Sequence, residues 1–254
     1  MKFKDIAWNF AGLAGPVGVA ALTIPKLVEI IGLERFGLLA LSWGLIGFAG
    51  VFDLGVGRAT TQTIAKLRGE NQLKQIPHVL ATAASLSLRA GLVGAILLGL
   101  AVLAGAHTHI KFAAELNEEV TIAAYLLALA IPLQSMSAMF RGVNEGFERF
   151  REISLIRIGL GIATFLGPFA VAFFSPHLAL LVLTLLLSRA VAYLLFRKYA
   201  KLCLERELPT DLQSASAQES SAIAKQFCFL VDGFPSPAWS GRFWFNQIDI
   251  LLAH

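Results

Sequence analysis

The stretch "GLLALSWGLIGFAGVFDLGVGRATT", residues 37–61, decides how the rest of the chain is read. It carries no charge until Asp53, and Arg58 follows five residues later. A helix needs about 20 apolar residues to cross a hydrocarbon core. The run Gly37–Gly57 meets that length, and five others match it: Ile6–Ile31, Val79–Ala106, Val120–Phe140, Ile153–Phe174 and Leu178–Phe196. Composition agrees. The 254 residues are 56% hydrophobic and only 15% charged, against about 25% charged in a soluble domain. The fold class expected is an all-α polytopic membrane protein with six transmembrane helices.

The charges fall between the runs, and their sign sets the orientation. With the N-terminus inside, the inner segments hold fourteen cations: Lys2, Lys4, Arg58, Lys66, Arg68, Lys74, Arg141, Arg149, Arg151, Arg197, Lys198, Lys201, Arg206 and Lys225. The outer loops hold only Arg35 and Lys111. Positive charge near helix ends stays on the cytoplasmic side, so a cytoplasmic N-terminus and three helical hairpins are expected. The net charge of +4 is spread over these short segments, and no nucleic-acid partner is implied. Cys203 and Cys228 show no metal-type spacing. No small-residue cleavage site follows a short apolar core at the N-terminus, so the first span is expected to be retained.

Within the spans, ionisable residues are the functional candidates, because charge in a membrane is costly and usually faces protein or water. Lys26 and Glu29 lie near the outer end of the first span and can snorkel outward. Arg189 is placed about two turns from the inner end of its span, where snorkelling competes with a cavity role. Arg89, about 16 Å beyond His78 by helical rise, is expected well inside, and Arg157, just over a turn from Glu152, can still reach the inner headgroups. Arg58 marks the inner boundary. Asp53 and Arg58 are five residues apart, about 140° around a helix, so they are poor partners for each other. Asp53 either meets an arginine on another helix or lines a pathway.

Gly12, Gly15, Gly18 and Gly44, Gly47, Gly50 recur every three residues. Small residues let membrane helices approach closely, so these are expected to pack the first helix against the second. Pro16 and Pro25 are expected to bend the first helix. "GVNEG", residues 142–146, reads as part of a polar loop. No phosphate loop, nucleotide fingerprint or triad spacing occurs, and His107 and His109 are read as solvated loop residues. No enzyme, catalytic residue, cofactor or metal site is expected.

Two segments carry a resemblance. "IGLERFGLLALSWGLIGFAGVFDLGVGRATTQTIAKLRGE", residues 31–70, has Gly-x-Glu-x-Phe-Gly, then Asp-Leu-Gly-x-Gly, then a basic amphipathic segment. "FRGVNEGFERFREISLIRI", residues 140–158, is similar to an inner loop of the same proteins. Over about residues 6–205 the chain resembles the lipid-linked oligosaccharide (O-antigen type) flippases of the multidrug/oligosaccharidyl-lipid/polysaccharide exporter superfamily. The resemblance implies two six-helix lobes around a central cavity, of which residues 1–206 would form one. It implies an undecaprenyl-pyrophosphate-linked glycan as cargo, flipped across a bacterial inner membrane. Its partners would be that lipid-linked oligosaccharide, membrane lipids and polysaccharide assembly proteins. Cationic side chains would hold the pyrophosphate, which suits arginine. Arg58, Arg89 and Arg157 are the candidates, with Asp53 as a further substrate-site residue. A drug/cation exporter of the same superfamily would instead centre on Asp53. A membrane enzyme or scaffold of lipid-linked glycan assembly is a further alternative.

The C-terminal part departs from that pattern. Residues 207–225 read as a polar cytoplasmic linker. Residues 226–254 form an irregular tail with seven Phe or Trp and no regular period. A reading-frame shift near residue 230 would explain it, because synonymous codons for Val231–Ile250, read two bases along, can spell an apolar seventh helix. On this reading the chain is a truncated half that does not transport unless it dimerises or a second chain supplies the other lobe.

Overall fold

The computed structural model describes residues 3–48, 55–105 and 116–207, with side chains from residue 15 and not at Phe48. All regular structure within them is helical. The elements are α1 (Phe3–Phe48), α2 (Val56–Gly69), a single 3₁₀ turn (Leu73–Gln75), α3 (Ile76–Leu103), α4 (Asn117–Gly146), α5 (Phe150–Ala172) and α6 (Leu178–Glu207). Five helices among the described residues are long and apolar enough to cross a membrane. One of them, α1, is broken at Gly32, whose φ of 81° and ψ of 161° are non-helical. This separates arms 3–31 and 33–48, and a side chain at Gly32 would be strained. The chain is an all-α polytopic membrane protein.

The break lies where the sequence placed its first outer loop, and not at the prolines. Pro16 and Pro25 both sit inside helical backbone. The second span also ends differently from expectation. Its described helix stops at Phe48, and a new helix, α2, has begun by Val56 after Gly55 at φ 74°. A left-handed residue cannot continue a helix, and glycine takes that conformation without penalty. Residues 49–54 lie outside the described residues. Gln72 N–H bonds to the Leu67 carbonyl at 2.8 Å and closes α2. Lys66 and Arg68 in its last turn complement the helix dipole.

Direction alternates along the bundle. At one end Glu119, in the first turn of α4, accepts from Arg35 Nη2 at 3.0 Å and from Leu178 N–H at 2.8 Å. At the other end Arg68 Nη1 donates to the Gly146 carbonyl at 2.9 Å and Arg68 Nη2 pairs with Glu207 at 3.1 Å. The start of α4 therefore meets the start of α6, and the end of α4 meets the end of α6. Two cores follow. Leu27, Leu39, Ile46, Val120, Leu127, Leu181 and Leu185 fill the Glu119 half. Val56, Ile64, Leu88, Met139, Val143 and Ala200 fill the Arg68 half. Helices α4 and α6 run through both.

The close helix contacts use small residues. A Cβ at Gly142 would strike the Gly57 carbonyl, and one at Gly146 would lie 2.8 Å from Ile64. "GVNEG" is thus the last turns of α4 packed on α2, not a loop. A Cβ at Gly91 would lie 2.6 Å from Pro132 Cα. Pro132 leaves one α4 carbonyl without its helical donor, and Ser135 Oγ one turn on donates to the Ser87 carbonyl of α3 at 2.8 Å. The glycines expected to pack the first helix on the second do not do so among the described residues. Cβ atoms at Gly15, Gly18, Gly44 and Gly47 would meet nothing within 4 Å there. The side chain environment of Gly12, and Gly50 as a whole, lie outside the described residues. Helix α1 packs mainly on α5, through Pro16 beside Gly161 and Trp43 edge-on to Phe165.

Candidate functional site

The charges set within apolar helices are the site candidates, and the structure assigns each a depth. Arg89 lies near the midpoint of α3, about 20 Å by helical rise from either end. It is half-buried, next to the buried Ser87 and Leu88. The neighbouring Ser87–Ser135 bond and the Gly91–Pro132 contact hold this part of α3 tightly against α4. Arg157 lies seven residues into α5, about 10 Å from its start, with an exposed side chain. Arg58 is exposed on the first turn of α2, to one side of the face that carries Gly57, Thr61 and Ile64. Asp53 lies outside the described residues.

The structure brings forward Arg189. Helix α6 continues past its apolar span to Glu207, and Arg189 keeps its place about two turns before the switch to Arg197 and Lys198. Its Nε is buried and has no hydrogen-bond partner among the described residues. A snorkelling arginine would show that atom to water or headgroups. An unpartnered guanidinium nitrogen is costly, which adds Arg189 to the candidates. The signal in the sequence was an arginine in an apolar run. What the sequence lacked was the direction of the side chain. Trp43 Nε1 on α1 is likewise buried without a partner among the described residues.

These residues divide between two flanks. Helices α2 and α3, with Arg58 and Arg89, pack on one side of α4. Helix α5, with Arg157, packs on α1 and α6, and α6 carries Arg189. The described part of the chain therefore offers cations on both flanks of the α4–α6 pair and does not gather Arg58, Arg89 and Arg157 into one cluster. Among the described residues no group of three His, Cys, Asp or Glu could hold a metal ion.

Comparison with known proteins points one way. The chain is similar to a bacterial O-antigen transport protein. A Shigella flexneri protein named "Putative O-antigen transporter" is 28% identical over 199 residues, covering 78% of this chain and 47% of that protein. The chain spans about half the length of this relative. No family model matches, and no solved structure matches. That alignment length is enough to take in most of the helical bundle, so the likeness does not rest on one motif.

Proposed function

We propose that the chain is the N-terminal, membrane-embedded lobe of a transporter for O-antigen-type glycan carried on undecaprenyl pyrophosphate, moving it to the outer leaflet of a bacterial inner membrane. One observation carries the reading: the similarity to an O-antigen transport protein extends over 78% of the chain. The embedded arginines supply a chemical reason. A pyrophosphate crossing an apolar layer needs cationic partners, and a guanidinium offers a planar fork to phosphate oxygens. Arg189 has a buried Nε open to such a role, and Arg89 sits at mid-helix. Arg157 and Arg58 would meet the same charge nearer the membrane surface.

In this reading the N-terminus is cytoplasmic, because the described cation-rich segments lie together at the Arg68 end of the alternating helices. The protein's partners are the lipid-linked glycan and the enzymes that assemble it. The chain supplies binding and orientation, and the other wall of the pathway comes from a second lobe.

The test is complementation of a bacterium lacking its O-antigen transporter. The chain alone is expected to give no surface O-antigen, and the chain co-expressed with the C-terminal half of the Shigella relative is expected to restore it. Arg89→Gln and Arg189→Gln in the restored pair should each lower surface glycan while leaving the amount of membrane-inserted protein unchanged. Full export by the chain alone as a monomer would overturn the half-transporter reading.

A further inference from the structure

We propose that the paired ends of α5 and α6 form a binding site for an anionic phospholipid headgroup at the rim of the bundle. The site requires only that the helices span a membrane and does not depend on the cargo. Ile153 and Ile156 of α5 pack with Ala192 and Phe196 of α6, and Tyr199 lies against this cluster. The packing sets the first turn of α5 beside the last membrane turns of α6. Three exposed cations flank it: Arg151, Arg197 and Lys198. None has an ion pair or hydrogen bond among the described residues, whereas their neighbours are engaged. Arg149 is held by Glu152 at 3.9 Å and Lys201 by Glu205 at 3.6 Å.

The apolar surface beside these cations fixes their depth. On α6 the exposed residues run Leu187, Val191, Leu194 and Leu195, then switch at once to Arg197 and Lys198. The inward positions Phe196 and Ala200 stay buried. On α5 the exposed Leu155 is followed toward the helix start by Arg151 and by Phe150, itself 60% exposed. Both helices therefore turn cationic at the same end of the bundle, with the exposed Arg157 a further cation two residues beyond Leu155 on α5. An exposed aromatic at such a boundary suits the interface between headgroups and acyl chains. Cations at headgroup depth without a carboxylate partner attract acidic lipid. Acyl chains would lie along Leu155, Leu194 and Leu195, and the phosphodiester would meet Arg151, Arg197 and Lys198.

Other exposed cations at this end provide the contrast. Lys66 lies on the outer face of α2, whose apolar face is used up on α4, and Lys74 lies in the turn after it. Neither adjoins an exposed apolar ladder of a spanning helix, so they are surplus charge without a place for acyl chains.

The full chain in non-ionic detergent, titrated with palmitoyl-oleoyl phosphatidylglycerol or the matching phosphatidylcholine, is followed by native mass spectrometry. The first lipid bound should favour phosphatidylglycerol by about fivefold or more, the scale set by one cation near a lipid surface. R151Q/R197Q/K198Q should bring that preference close to one. R151K/R197K should keep it, which separates lost charge from lost folding. K66Q/K74Q should also keep it. No preference in the native chain, an unchanged preference in the triple variant, or an equal loss in K66Q/K74Q would each overturn the proposal.

Discussion

Two sets of glycines in this molecule look alike in sequence and behave in opposite ways. Gly15, Gly18, Gly44 and Gly47 on α1 face open space, where a Cβ would meet no described atom within 4 Å. Gly142 and Gly146 on α4, and Gly91 on α3, are pressed against Gly57, Ile64 and Pro132. The difference teaches that small-residue spacing records the capacity for close approach, while the partner decides whether it is used. In lipid, association rests on packing and interhelical hydrogen bonds, so the tight set is where the described bundle is held. The open set is available to whatever lies beyond the described residues.

The tight set is most sensitive at Gly142. Gly142→Leu should drive α2 from α4 and destabilise the protein by about 3 kcal/mol, the upper range for overpacking. Unfolding of the detergent-solubilised protein in increasing SDS reads this as an earlier midpoint. A midpoint unchanged from the parent would mean that the α2–α4 contact does not hold the bundle.

Asn144 tests the α4–α6 junction at the same end through hydrogen bonding. Its Nδ2 donates to the Phe140 carbonyl at 2.8 Å and across to the Phe196 carbonyl at 3.0 Å. Asn144→Ala should cost about 1–2 kcal/mol by lost bonding and an unmet carbonyl, seen as a smaller shift of that midpoint.

The Glu119 end offers a polar counterpart. Glu119 joins Arg35, His177 and the Leu178 N–H. Glu119→Gln keeps the shape and removes the charge, so it should cost about 1 kcal/mol. A variant as damaging as Gly142→Leu would show that this end holds the structure as firmly as the α2–α4 junction.

The smallest effect belongs to the open glycines. Gly44→Ala and Gly47→Ala should leave stability within about 0.5 kcal/mol of the parent or raise it slightly, since alanine favours helix. Large losses of stability would show that the open face is occupied within the chain itself. Unchanged stability with impaired glycan export in the co-expressed pair would place the second lobe there.

Particular residues show how far the sequence could be read. The spans at Val79–Ala106, Val120–Phe140 and Ile153–Phe174 were legible because apolar length is a one-dimensional property. The structure shifts their ends by two to six residues. Gly32 also fell where the charge at Arg35 put a loop. The α2 boundary was harder, because nothing in the hydropathy of "GVFDLGVGRATT" marks Gly55, after which α2 begins. A φ of 74° at one residue leaves hydropathy untouched. The candidate site was legible only as a set of embedded charges. Arg89 and Arg189 kept their places along their helices, and only the fold showed the Arg189 Nε buried without a described partner.

By itself the sequence determined that the chain is helical, membrane-spanning and charged at one set of helix ends, since hydrophobic length and charge position act locally against the bilayer. The tertiary structure alone decided which glycines touch, that α4 and α6 tie both halves together, and which arginine is turned inward. Those outcomes depend on which faces meet across tens or hundreds of residues. Close packing fixes them through distances that no local pattern contains.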